Sequence, residues 1–359
     1  MALNRLLITH CRNIASADLS LSPRFNGLLG ANGSGKTSIL EAIYMLGHGR
    51  SFRQPLAAQV IHYGESALVI HGALQQATKL RQIGIRKTRQ GTTQVRIEGV
   101  DGHKIAELAQ LLPIQLLTPE SLLLLNGAPK FRCAFIDWGC FHQQPAFLTV
   151  WNQVRRLLQQ RNALLKDARH YSALQGWDQA LVPLSEQLSH WRAEYCAGLL
   201  NHLTATWTQL LPEYQFTCNF QRGWDPQRDY QPLLAQQFPR DRAATYTLLG
   251  PHRADLHIRT NGQPAATCLS RGELKLLLYG LRLAQGAFFN QHTGRDCTYL
   301  LDDFPAELDH RRRQLLIHCL KQIDCQLFAS ALDQQQIADL IDEKGKLFSI
   351  EHGTINTSD

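Results

Sequence analysis

The run Gly30-Ala31-Asn32-Gly33-Ser34-Gly35-Lys36-Thr37 leaves a chain few options. It satisfies G-x-x-x-x-G-K-[ST] at every fixed position, and each of those positions has a mechanical reason. Glycines let backbone N–H groups turn inward around a β-phosphate. The Lys36 ammonium reaches the β/γ oxygens, and the Thr37 hydroxyl is placed to ligate Mg²⁺. The flanks agree: an apolar run (Phe25, Leu28, Leu29) precedes the loop, and Ile39, Leu40, Ile43 and Leu46 follow at helical spacing. A helix N-terminus therefore stands behind the phosphates. The spacing predicts an α/β fold with an ATP site over Gly30–Ser38.

Composition narrows the class. With 359 residues, 44% hydrophobic and 19% charged, the chain can fill one or two globular domains. No apolar stretch approaches bilayer length, and the N-terminal residues lack a signal-peptide pattern. Nine cysteines without C-x-x-C spacing read as reduced thiols rather than disulfides or zinc ligands. The net charge of +7 is unevenly spread: residues 1–112 carry 13 Lys/Arg against 6 Asp/Glu, whereas the rest of the chain is nearly balanced. A basic lobe suits a polyanion such as nucleic acid.

Hydrophobic periodicity divides the chain in three. Ser66–Leu74, Leu80–Lys87 and Gln94–Glu98 read as meander strands, with a turn at Gly91. Trp151–Arg169 and Trp177–Leu211 have helical period, and the tryptophans clustered there read as core packing. Thr298–Leu301 and Gln326–Ala329 are short apolar strands around a helix over Leu308–Ile323, and Asn261-Gly262 marks a hairpin. The expected organisation is one α/β lobe from residues 1–112 and 245–359, with a mainly helical insertion over 113–244.

Two further segments belong with the phosphate loop. In "YLLDDFPAELD" an apolar strand ends at Asp302, where a carboxylate can hold Mg²⁺, and Asp303 can orient an attacking water. In "CLSRGELKLLLYGLRLAQ" Ser270 and the Gly272 backbone stand at a helix start, where they can present donors to an anion.

In this order the three segments resemble the ABC-type ATPases and, within them, the SMC-like DNA-repair branch. "HCRN" (His10–Asn13), "GRSFR" (Gly49–Arg53), "LLTPESL" (Leu116–Leu122), "FRCAFIDWGCFH" (Phe131–His142), "LLGPHRADL" (Leu248–Leu256), "LSRGELK" and "LLDDFPAELD" are together similar to the motifs of the RecF family of recombination mediators. The resemblance implies a cytoplasmic bacterial ATPase that forms an ATP-dependent homodimer and binds duplex and gapped DNA. With the partners RecR and RecO it helps load RecA, and no membrane is involved. It also implies residue roles. Lys36 and Thr37 bind phosphate and Mg²⁺, Asp302 holds the metal, and Asp303 takes the general-base position. Ser270 completes the site of a second subunit, and Asp309 lies in the segment crossing that seam. Arg12 and Asn13 lie by the nucleotide, and Gln115 belongs to the segment sensing the γ-phosphate.

The chain departs from the family pattern at Cys11, Glu273 and Pro305, and carries Ser330 where many ABC ATPases have a switch histidine, which predicts weaker γ-phosphate stabilisation. Asp303 is one methylene shorter than the usual Glu, which predicts slow hydrolysis. The "LSRG" helix argues against a small-molecule kinase. The remaining alternative is an ABC-type subunit acting on a non-DNA partner such as a transporter.

Overall fold

A computed structural model describes residues 2–54, 56–76, 78–304 and 308–358. Pro305 and the segment's Glu307 lie outside them. In chain order the first part runs β1 (Ala2–Cys11), β2 (Ile14–Ser20), β3 (Phe25–Leu29), α1 (Lys36–His48), β4 (Ala67–Gln76), β5 (Lys79–Thr88), β6 (Thr93–Ile97), β7 (Val100–Asp101), α2 (Ile105–Leu111) and β8 (Ile114–Leu117). The middle contains α3 (Leu123–Asn126), α4 (Pro129–Gln143), α5 (Phe147–Leu165), α6 (Gln175–Leu210), β9 (Phe216–Gln221) and α7 (Tyr230–Ala244). Then follow β10 (Asp255–Thr260), β11 (Gln263–Pro264), α8 (Ala265–Cys268), α9 (Arg271–Thr293), β12 (Thr298–Leu301), α10 (His310–Lys321), β13 (Gln326–Ala331), β14 (Lys346–Glu351) and β15 (Thr354–Ser358).

These elements form two compact units, Met1–Ser121 with Phe289–Asp359, and Leu122–Phe288. The boundaries differ from those expected at 112/113 and 244/245, for two reasons of strand pairing. β8 pairs in parallel with β12, Leu116 opposite Leu300, so residues 114–117 belong with the phosphate-loop sheet. β10 pairs antiparallel with β9, Ile258 opposite Cys218, which ties residues 255–260 to the inserted segment. Ser270 and Gly272 therefore belong to the second unit.

In the first unit two six-stranded sheets share one core. The order β15-β14-β3-β13-β12-β8 is parallel except at β15, and β12 and β13 are buried along their whole length, as strands covered on both faces must be. The other sheet, β2-β1-β4-β5-β6-β7, is antiparallel, and β6 alternates buried Val95 and Ile97 with exposed Gln94 and Arg96. The expected meander is thus β4–β6, and Gly91 turns it with φ +89°. Helix α1 packs into the core that both sheets line, with Ile39, Leu40, Ile43 and Leu46 fully buried. The approach is close. A Cβ on Gly47 would stand 2.7 Å from Ile114 Cδ1, and one on Gly72 would stand 2.6 Å from Leu46 Cδ2.

The second unit is mainly helical. α5 and α6 are the two helical segments expected there, each starting and ending within four residues of the expected bounds, and Asn261 and Gly262 both have positive φ, as a two-residue hairpin turn between β10 and β11 requires. Of the tryptophans expected in the core, Trp207 and Trp224 are buried, the latter stacked on Tyr230, whereas Trp177 at the start of α6 is exposed. At its centre Arg161 of α5 is fully buried. It donates to Asp178 of α6 (2.7 Å), and to Asp241 of α7 and Thr247 (2.8 Å each). Removing the cation strands two buried carboxylates. Arg161→Met is therefore expected to cost about 3–5 kcal/mol. Urea unfolding checks this, and an unchanged midpoint would show that the cluster does not hold the helices together.

Candidate nucleotide site

The carboxyl ends of β3, β12 and β13, neighbours in the parallel sheet, meet at one edge, where open α/β sheets bind ligands. β3 runs into the phosphate loop. Gly30, Gly33 and Gly35 have φ of +153°, +79° and +126°, in the region that disfavours side chains. At Gly30 a Cβ would also stand 2.3 Å from the Ile350 carbonyl. Gly35 precedes α1 and supplies no side-chain cap, and the first turn of the helix has no acidic residue. The leading N–H groups of α1 are thus left for an anion. Lys36 Nζ lies over the loop, donating to the carbonyls of Gly30 (2.6 Å) and Ala31 (3.0 Å). Burial holds this ammonium below the usual lysine range, with Asp303 and Asp302 pulling the other way.

Asn13, at the turn between β1 and β2, braces the loop. Its Nδ2 donates to Ser34 O (2.9 Å), and its Oδ1 accepts from the Ser38 hydroxyl (2.9 Å). Its neighbour Arg12 forms a fork to Glu41 of α1, Nε to Oε2 at 2.7 Å and Nη2 to Oε1 at 2.8 Å, with Nη1 on Gln59 O. Glu41 is fully buried, so this guanidinium neutralises a carboxylate in the core. Arg12 borders the cleft, but its charge is committed to the scaffold.

The acidic pair stands opposite. Asp302 Oδ1 accepts from the Thr37 hydroxyl (3.0 Å) and from the Ser330 hydroxyl (2.9 Å), and Ser330 in turn accepts from the Asp303 N–H (2.8 Å). Burial raises the Asp302 pKa above the ordinary carboxyl value, Asp303 adds to this, and the bonds from Ser330 and Thr37 oppose it. Asp303 has φ +53°, a sparsely populated conformation that Asp tolerates, and its exposed side chain lines the cleft. Sequence alone did not reveal the role of Ser330. It is fully buried and pins both aspartates, a consequence of the parallel register that sets Leu301 opposite Ala329.

The resulting cleft is about 560 Å³, bordered by Asn32, Gly33, Gly35 and Lys36–Ser38 on the loop side, and by Arg12, Asn13, Arg53, Gln59, Ile61 and Asp303. The donor set suits Mg²⁺. The Thr37 and Asp302 oxygens lie 3.0 Å apart, close to the edge of an octahedron of oxygens about 2.1 Å from its centre. Gln115, by contrast, is wholly buried in β8 and is not part of the cleft wall.

The remaining expected residues sit at helix starts. Ser270 and Glu273 form a capping box at α9: the Ser270 hydroxyl and N–H both donate to Glu273 Oε2 (2.7 and 2.8 Å), leaving Ser270 exposed. Asp309 caps α10, accepting from the Arg312 N–H (2.8 Å).

A phosphate loop, an acidic pair just past the end of β12, two strands from β3 in the same parallel sheet, and an antiparallel sheet sharing the core around the loop helix define a P-loop ATPase head. The RecF/RecN/SMC N terminal domain family model matches residues 2–356. The chain is 55% identical to the DNA replication and repair protein RecF of Pectobacterium atrosepticum over 355 residues, covering 99% of this chain and 98% of that protein. It is 54% identical to that of Yersinia pestis over the same length and coverage. A structure of the recombination mediator protein RecF with ATP matches with TM-score 0.89 at 20% identity, covering 100% of this chain and 98% of the other. An SMC head bound to the C-terminal winged-helix domain of ScpA matches at 0.64 and 14%, covering 100% and 97%. The chain belongs to the RecF family.

Only an ionised Asp302 could hold a cation, so Mg²⁺-dependent ATP binding is expected to fall as pH drops through its raised pKa. Ser330→Ala removes a bond that opposes the rise. It should move that fall to higher pH and weaken binding at neutral pH. Titrating nucleotide affinity against pH in both proteins checks the shift, and superimposable curves would deny Ser330 its role.

Proposed function

We propose that the chain is an ATP-dependent recombination mediator of DNA repair. It pairs with a second copy around ATP, binds duplex and gapped DNA, and with RecO and RecR helps load RecA at single-strand/double-strand junctions. One observation carries the ATPase part: Thr37, Asp302, Ser330 and Asp303 form a continuous hydrogen-bonded chain beside a complete phosphate loop. The 55% identity with a RecF protein over 99% of the chain supports the DNA part.

In this reading the N–H groups of Gly33–Ser38 and the Lys36 ammonium hold the β/γ phosphates, and Thr37 and Asp302 would hold Mg²⁺, which offsets phosphate charge when bound. The Asp303 carboxylate takes a proton from the attacking water as its oxygen bonds to the γ-phosphorus. The bond to the β–γ bridging oxygen breaks, leaving ADP and phosphate. A base must come within about 3 Å of its water, and the short Asp side chain makes that slow. ATP then works as a switch, with hydrolysis as its reset. Ser270 and Gly272 serve the γ-phosphate held by the other copy, and Asp309 lies at the seam.

The trans assignment is tested by mixing. Ser270→Ala and Lys36→Met proteins should each be inactive alone, whereas their heterodimer has one composite site with both residues intact. Partial recovery of ATPase activity on mixing is the expected result. No recovery, with heterodimers demonstrated, would place Ser270 outside the reaction.

The DNA reading is tested through salt. On β5, Lys79 and Arg86 are exposed and Arg81 is half-buried, whereas Lys87 is spent on Gly49 O and Thr93 Oγ1. Changing Lys79, Arg81 and Arg86 together to Gln should flatten the dependence of log K on log salt by about 0.9 per lost phosphate contact. All sequences should weaken alike, and ATP-dependent pairing should persist. Fluorescence anisotropy at several salt concentrations measures the slope. An unchanged slope would remove β5 from the DNA face.

A further inference from the structure

A short turn beside the cleft carries an unusual side chain. Residues 62–65 form a β-turn closed by the Glu65 N–H on His62 O (3.1 Å), with Gly64 at φ +86° in the position where such turns need it. The turn is fastened on several sides. The His62 N–H donates to His10 O (2.9 Å), and His62 Nδ1 lies 2.7 Å from Arg12 O. Arg89 clamps both ends, with Nη2 on His62 O (2.9 Å) and Nε on Glu65 O. Glu65 also faces His10 at 3.3 Å. All of this holds the backbone around Tyr63, whose own side chain is 95% exposed.

Fixing a turn so firmly while leaving its ring in water brings the folded chain little from that ring. It does present a flat aromatic face at low entropic cost, since a tyrosine has only two side-chain torsions to fix. Arg89 belongs to the same clamp and is itself exposed, so its charge lies at the turn that carries Tyr63. An aromatic face beside a cation is the chemistry that binds single-stranded nucleic acid, with the base on the ring and a phosphate on the charge.

We propose that Tyr63 stacks on an exposed nucleobase of DNA and thereby distinguishes a gap or junction from uninterrupted duplex. The inference rests on the DNA reading above and adds the residue that selects the structure bound. Bases within continuous duplex have both faces covered by their neighbours. A ring can stack only on a single strand or on the last pair before a gap. The cations of β5 then supply affinity for any duplex, and Tyr63 supplies the preference. The other base within reach of the argument is the adenine of ATP, because Gln59 and Ile61 of the same segment line the nucleotide cleft. Tyr63 is not part of that wall, which favours DNA.

The test uses the full-length protein with ATP, comparing a gapped duplex with a continuous duplex of equal length by anisotropy. A second readout places 2-aminopurine in the last pair beside the gap. The parent should prefer the gap. Tyr63→Ala should lose roughly five- to hundredfold of that preference, the range that removing one base-stacking ring costs. Its affinity for continuous duplex, salt slope and ATP affinity should be unchanged. Tyr63→Trp should keep the preference and the 2-aminopurine response. An alanine variant with the parent's preference and response would overturn the proposal. So would a fall in ATP affinity with gap preference intact, which assigns the ring to adenine. A parent that binds neither DNA would instead overturn the DNA reading itself, and this proposal with it.

Discussion

The first unit depends on burying one helix from two sides. α1 follows the phosphate loop, so its N-terminus must stay open to an anion, yet its body fills the core shared by a parallel and an antiparallel sheet. Those demands conflict, because a buried helix normally satisfies its first N–H groups with a capping side chain. Here Gly35 stands at the cap and contributes none, so bracing comes from outside the helix. Asn13 holds the loop by the Ser34 carbonyl, and Arg12 neutralises Glu41 in the helix body. The glycines at 47 and 72 let the sheets close around a helix with its position set in this way.

Local rules made part of this legible. Glycine spacing marked the phosphate loop, and alternation marked β4 to β6. A four-residue apolar run ending in two aspartates marked β12, while helical period marked α5 and α6. Each signal lies within a few residues of its own consequence. The parts that escaped arise from pairing across long stretches of chain. Nothing near residue 330 says that its hydroxyl will lie between Asp302 and Asp303. Only the parallel register of β12 and β13 decides it. Arg12 and Asn13 border the cleft beside the phosphate loop, but the commitment of Arg12 to Glu41 is invisible until α1 is placed.

The boundary between units shows the same limit. Residues 114–117 are too short a run to declare a sheet, and the basic excess already ends before them, by residue 112. β8 joins the phosphate-loop sheet because its partner β12 lies nearly two hundred residues away. Likewise, β10 leaves the α/β unit because its hairpin neighbour β11 is short and β9 offers a full-length edge. Strand partners, not composition, divide the chain.

The two-residue turn Arg12-Asn13 has hands on both sides. Asn13 grips the phosphate loop, and the Arg12 carbonyl receives the ring of His62, which anchors the turn carrying Tyr63. Among these residues the connection is backbone and short hydrogen bonds, with no loose segment between. Ligands held at the two ends of such a link trade free energy evenly. Whatever factor nucleotide adds to the grip on DNA, DNA must return to nucleotide. Held at the proposed stacking face, a gap in DNA would tighten equilibrium binding of ATP by the same factor as ATP tightens binding of the gap.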